Sequence, residues 1–281
     1  MRRVKKIVQY PYQGATMWSG IGVTVVVMDT GMVLHPELQG RAVLFQDFVN
    51  ERRDFYDDNG HGTHVCGIIG GRRIGIAPEC NLIVLKVLDE TGNGNVIYSM
   101  RGFRWILENQ EKYNIRIVNI SMGMKQGTNH LGEKRILRGV ETLWAMGIVV
   151  VAAAGNLGPR EGSITIPGAS QKIITVGASD IEHSGRGSVK DNLWKPELVA
   201  PGSNIFSCNA DYEKGKLYIN KSGTSMATPI VSGAAALLLS KEPNLTNERV
   251  KRRLQDCCAD LHMSKDRQGS GLISIRKLLQ C

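Results

Sequence analysis

The chain has 281 residues, 42% hydrophobic and 22% charged, which fits one packed α/β domain and excludes a disordered or fibrous protein. No apolar run approaches the roughly 18 residues of a membrane helix, and the basic start Met1-Arg2-Arg3-Val4-Lys5-Lys6 lacks the apolar core of an intact secretory signal. The net charge of +9 comes from scattered Lys and Arg; the densest cluster, Lys251-Arg252-Arg253, falls on an expected late surface helix and reads as a solvated face, not a nucleic-acid site.

In chain order, Val23–Met28 is a continuous β-branched run, as expected of a strand buried on both faces of a parallel sheet. It ends in Asp29-Thr30-Gly31, which puts a carboxylate at the carboxyl end of a central strand, where open α/β sheets place their active sites. An aspartic protease would need a second such loop, and none is present. A phosphatase with an aspartyl nucleophile would carry Asp where Gly31 stands. An Asx turn that merely closes the strand is the structural alternative.

Residues 35–58 read as loop and short strand, closing on Asp54, Asp57 and Asp58. Next comes Asn59-Gly60-His61-Gly62-Thr63-His64, with His61 expected at the start of a helix running to about Gly71. The His61/His64 spacing lacks the Glu base and third ligand of zinc peptidase motifs. His61 is therefore the candidate general base, and His64 the packed ring. Cys66 reads as a small buried residue on that helix.

Asn81–Val87 is a strand, followed by the turn Asp89–Gly94 and a helix with Val96, Ile97, Met100, Phe103 and Leu107 on its apolar face. Ile115–Ile120 is a strand closing on Ser121-Met122-Gly123. A helix over about 132–146 carries Ile136, Leu137, Val140, Leu143 and Trp144. Strand Ile148–Val151 then runs into Ala152-Ala153-Ala154-Gly155-Asn156. This alternation predicts right-handed βαβ units, a mostly parallel sheet and a three-layer α/β/α architecture in a single domain, 1–281.

Gly223-Thr224-Ser225-Met226-Ala227-Thr228-Pro229 precedes a small, apolar, helix-prone run, Ile230–Ser240. A hydroxyl in the first turn of a buried helix is a good nucleophile, because free N–H groups there can receive a developing oxyanion. Asn156, just past a strand, is either turn chemistry or a side-chain oxyanion donor; beside a serine and a histidine the second reading gains. Six cysteines (Cys66, Cys80, Cys208, Cys257, Cys258, Cys281) show no metal spacing, and the adjacent pair argues against a disulfide framework. Reduced thiols in a cytoplasm are expected, with a processed secreted protein as the alternative.

The order Asp29-Thr30-Gly31, His61-Gly62-Thr63-His64, Gly223-Thr224-Ser225-Met226-Ala227-Thr228-Pro229 resembles the subtilisin-like serine peptidases, in outline the intracellular bacterial branch. The resemblance covers about Tyr10 to Leu279, including Lys195–Gly202 and Gly269–Ile273. It implies that Ser225 attacks the scissile carbonyl, His61 shuttles the proton, Asp29 orients the imidazole and Asn156 binds the oxyanion. It implies two substrate-binding rails, Ser121-Met122-Gly123 and Gly92-Asn93-Gly94, and a first pocket walled by Ser121–Gly123, Ala153–Asn156 and Thr165-Ile166-Pro167. Thr165 stands where many relatives have glycine, which implies a shallower pocket and an apolar or medium-sized residue before the cut.

The alternative function is a binding module that keeps the fold without catalysis. Protein and peptide substrates are the expected partners, with no nucleic acid and no membrane; a homodimer is left open. The chemistry requires no cofactor. The loop after the histidine helix, Gly70–Gly75, holds two arginines where many relatives hold calcium. A calcium site at 54–58 or 180–191 stays open. Residues 1–15 form a short N-terminal extension, with Tyr10-Pro11-Tyr12 read either as an inhibitory plug or as an entry strand. Met226 beside the nucleophile is expected to be exposed and sensitive to peroxide.

Overall fold

A computed structural model describes residues 1–11, 18–188 and 194–280. In chain order the elements are α1 (Arg2–Ile7), β1 (Thr24–Asp29), β2 (Ala42–Asp47), α2 (His61–Gly70), β3 (Asn81–Lys86), α3 (Val96–Asn109) and β4 (Ile115–Ile120). Then follow α4 (His130–Ala145), β5 (Val149–Ala153), β6 (Ile174–Ala178), β7 (Leu198–Ala200), β8 (Ile205–Cys208) and β9 (Tyr218–Lys221). The chain closes with α5 (Thr224–Lys241), α6 (Asn247–Asp256), β10 (Cys258–Ala259), α7 (Lys265–Gln268), β11 (Leu272–Ile273) and α8 (Ile275–Gln280).

Nine strands form one sheet in the order β10-β11-β7-β6-β5-β4-β1-β3-β2, parallel except for the β10–β11 pair. The strands between the edges are Val- and Ile-rich because both faces are covered, and β1, β5 and β6 are buried along their whole length. Helices cover both sides, giving the three-layer α/β/α architecture the alternation predicts; α2 packs on α5, and α3 on α4. The chain leaves β1 for the β2–β3 side and returns to β4 on the other, so β1 is the topological switch point. A ligand crevice is expected at its carboxyl end.

α5 is apolar all round, with every residue from Met226 to Leu239 buried, as befits a helix in the middle of a layer. It packs against α2, β4, β5 and β6. Pro229 lies inside it and has no N–H to give the carbonyl of Ser225, so the first turn is held by tertiary contacts. A small antiparallel hairpin, β8–β9, stands outside the main sheet and feeds directly into α5.

Candidate active site

Asp29 ends β1 with its side chain wholly buried. Its Oδ1 accepts from the Thr30 backbone N–H (2.8 Å) and from His61 Nδ1 (2.7 Å). A carboxylate can only accept there, so Nδ1 carries the proton and Nε2 keeps its lone pair for the cleft. The His61 side chain is 24% exposed. Burial disfavours the imidazolium, but the charge and hydrogen bond of Asp29 outweigh it and hold the pKa above the ordinary 6.5; Lys221 opposes this shift and Asp57 adds to it.

α2 starts at His61 because Gly60 takes a left-handed turn (φ 83°) just before it. Gly60 has no side chain to cap the helix, and Asp57 does so from a distance. Its Oδ1 accepts from the Gly60 N–H (2.8 Å) and Thr30 Oγ1 (2.8 Å), its Oδ2 from the Thr63 N–H (2.8 Å) and Thr63 Oγ1 (2.7 Å). One carboxylate thus ties the end of β1 to the start of α2. Lys86, wholly buried, braces the same corner: its Nζ donates to Thr30 O (2.6 Å), Leu88 O (2.9 Å) and Asp58 Oδ1 (2.7 Å). His64 is the packed ring expected of it. Its Nε2 donates to Ile205 O (2.9 Å) and Ile219 O (3.2 Å), and burial lowers its pKa to about 3, so it stays neutral.

Ser225 is the second residue of α5, after Gly223. Its Oγ donates to the Ser121 carbonyl at 2.7 Å. Among the described residues it makes no hydrogen bond to His61; such bonds are often loose in unliganded sites, and a substrate N–H arriving at Ser121 O would release the hydroxyl. Both residues line one open cleft of about 520 Å³. Asn156 follows β5, and its Oδ1 accepts from the Thr224 N–H (3.0 Å) and Thr224 Oγ1 (3.3 Å). With the oxygen engaged, Nδ2 is the free end. A Cβ on Gly223 would stand 3.4 Å from it, so glycine keeps the donor clear.

Asp29, His61, Asn156 and Ser225 therefore gather at the carboxyl ends of β1 and β5 and the starts of α2 and α5. The sequence model of the subtilase family matches residues 20–271. The chain belongs to the subtilase family. It is 40% identical to Serine protease AprX of Bacillus subtilis (strain 168) over 85% of this chain, but spans only 61% of that relative's length. With Subtilisin Savinase of Lederbergia lenta it shares 35% identity over 91% of this chain and 90% of that one. Among solved structures it is similar to a cold-adapted subtilisin-like serine proteinase, with a TM-score of 0.79 and 32% identity over 92% of this chain and 90% of that chain. It is also similar to Sphericase, with a TM-score of 0.81 and 27% identity over 96% of each.

In this subtilase, Gly92, Asn93 and Gly94 line the cleft together with Ser121, Met122 and Gly123. The buried pair Asn119–Ser232 (2.8 Å) and the Asn119–Ser121 bond (2.9 Å) anchor the second rail to α5. Ala153, Ala154, Gly155 and Thr165 are brought close to this rail but lie buried behind the cleft surface. Thr165 fills the space between the two walls: a Cβ on either Gly123 or Gly155 would collide with its side chain.

One expectation changes and two are narrowed. Met226 is only 1% exposed, because it points from α5 into the core and away from the nucleophile's face. The described part of the extension, 1–11, lines no part of the cleft. It begins as a helix, buries Met1, Val4 and Val8, and joins the C-terminal segment through Val8 O with Ile275 N–H (2.8 Å). Tyr10 packs against the core, and Tyr12 lies outside the described residues.

The third concerns calcium. At 54–58 and 180–188 the carboxylates already serve donors: Asp54 binds Arg52, Asp57 the start of α2, Asp58 Lys86, and Asp180 the N–H groups of Gly202 and Ser203. After α2, Arg73 holds Glu37 through its backbone N–H and Nε, both at 2.7 Å. Among the described residues these carboxylates do not converge on one point as a calcium shell requires, and 189–191 of the second segment lie outside the described residues. Asp57 and Lys86 are the supporting residues that motif reading missed, though an Asp four places before a helix-opening histidine is a usable signal.

Proposed function

We propose that the chain is a serine endopeptidase of broad sequence tolerance that cuts after small to medium apolar residues. The Asp29–His61 bond at 2.7 Å, in the cleft that Ser225 shares, carries this reading. Ser225 Oγ adds to the scissile carbonyl as His61 Nε2 takes its proton; the tetrahedral oxyanion faces Asn156 Nδ2 and the Ser225 N–H. Collapse expels the amine with the proton from His61, and water repeats the sequence on the acyl-enzyme. Rails of main chain at Ser121–Gly123 and Gly92–Gly94 would grip an extended peptide without regard to most side chains.

The free thiols of Cys66, Cys80 and Cys208, all buried, support a reducing cytoplasm as its location. No helix among the described residues is long and apolar enough to cross a membrane. A fluorophosphonate probe tests the chemistry. One adduct on Ser225, absent in Ser225→Ala and slowed in His61→Ala, is the expected result. No adduct on a folded protein would favour the binding-module alternative.

A further inference from the structure

The rails and Thr165 concern the acyl half of a substrate; the wall on the other side of His61 is built differently. Gly60, directly before His61, faces the segment around the β8–β9 hairpin: a Cβ on Gly60 would stand 3.3 Å from Ala210 Cβ and 3.9 Å from Lys221 Nζ. Lys221 ends β9, opposite Ile205 of β8 and four residues before the nucleophile. It is half-buried, yet among the described residues its ammonium makes no hydrogen bond and no ion pair. Holding a cation partly out of water without a partner is unfavourable, unless something that arrives there supplies one.

Its charge is felt by His61 and His64, and it senses Asp57 and Asp29. Among the described residues neither carboxylate pairs with it: Asp57 spends both oxygens on Thr30 and the start of α2, and Asp29, wholly buried, leaves its Oδ2 without a hydrogen bond. Lys221 is also absent from the lining of the cleft that holds both rails. A peptide whose acyl half lies along Ser121–Gly123 and Gly92–Gly94 must carry its amine half out past Ser225 and His61. Lys221 stands beside Gly60, the residue directly before His61, just outside the lining of that cleft.

We propose that Lys221 is a specificity-determining residue for the leaving half of the substrate, favouring Asp or Glu at the first or second position after the scissile bond. This rests on the serine-peptidase reading. An arriving carboxylate would pair with a half-desolvated ammonium, and such a pair is worth more than one at an open surface. It would bind at the place where the new amine forms, so the preference belongs to acylation.

The test is a set of internally quenched peptides, identical except for Ala, Asp, Glu or Lys at those two positions, compared within each enzyme as ratios of kcat/KM. Wild type should favour the acidic peptide over the alanine one by about five- to tenfold, and the lysine peptide should fall below alanine. Lys221→Gln should bring the ratio to about one. Lys221→Arg, which keeps the charge, should retain it, and 0.5 M salt should reduce it. Ratios within one preparation, with active sites counted by the fluorophosphonate, are independent of how much of each variant folds. Cleavage of the alanine peptide without an acidic preference, or a preference that survives in Lys221→Gln, overturns this inference alone. Failure to cleave any peptide overturns the peptidase reading and this inference with it.

Discussion

On the proposed mechanism, His61 should carry the pH dependence. Its pKa is raised by Asp29, and the neutral ring is the working base, so kcat/KM should rise through a midpoint above 6.5 as pH increases. The charged pair stabilises the fold in the opposite sense. A raised pKa contributes stability in full below the unfolded value and loses it as pH climbs through the folded one. Asp29→Asn should move the acid limb down towards or below 6.5 and lower kcat by about 10⁴, because the ring is then free to take the wrong tautomer. A midpoint unmoved in that variant would mean that another group titrates. On the proposed reading, Thr165 limits the depth of the first pocket. Its side chain fills the gap between Gly123 and Gly155, so Thr165→Gly should raise kcat/KM for a peptide with Phe before the cut by about 10- to 200-fold relative to Ala. Equal ratios in the two enzymes would place the pocket elsewhere.

The base sits on the first residue of α2, and that start depends on Asp57. Asp57→Ala removes the cap at Gly60 and Thr63 and the tie to Thr30; it should cost about 1–2 kcal/mol of stability and lower kcat more than it changes KM. Asp57→Asn keeps one accepting oxygen but turns an NH2 group towards the other backbone N–H, so it should recover only part of both in urea melts and steady-state assays. If Asp57→Ala keeps full kcat, the cap does not position His61. The sequence makes Asp29, His61, Asn156 and Ser225 legible because each stands in a short motif at an element boundary, where periodicity changes from strand to loop or loop to helix. Asp57 and Lys86 are not legible in that way. Their partners, Thr30 and Thr63 for one and Thr30 and Leu88 for the other, come together only once β1, β3 and α2 are assembled. β10 and β11 are two residues each, too short to show any alternation. Met226 misleads for a related reason: neighbouring residues on a helix point about 100° apart, so Ser225 can face the cleft while Met226 enters the core.

Across the whole molecule, internal cations of the chain stand in oxygen-rich corners. Lys86 joins the carboxyl end of β1, the segment after β3 and the acidic loop before α2, with two carbonyls and one carboxylate around its ammonium. Lys195 does the same between β6 and β7, donating to Ile173 O (3.0 Å) and to both oxygens of Glu197 (2.7 and 2.8 Å). Two carbonyls and a carboxylate are hard-oxygen donors that a bound metal ion could share, but at Lys86 a covalently tethered charge already neutralises them. Lys86→Met has nearly the same length and cannot donate. It leaves the carbonyls of Thr30 and Leu88 bare in a buried corner, at a cost of about 3 kcal/mol. For a domain of this size that lowers the melting temperature by roughly 6–12 °C. Calcium should not restore it, because the carbonyls of Thr30 and Leu88 with the Asp58 carboxylate fall short of the roughly six to eight oxygens the ion takes. By the same reasoning the wild-type melting temperature should be the same in millimolar calcium and in chelator. A rise of several degrees with calcium in the wild type would reveal a site that these carboxylates do not form. A rise only in Lys86→Met would show that the corner accepts a metal ion once the lysine is gone.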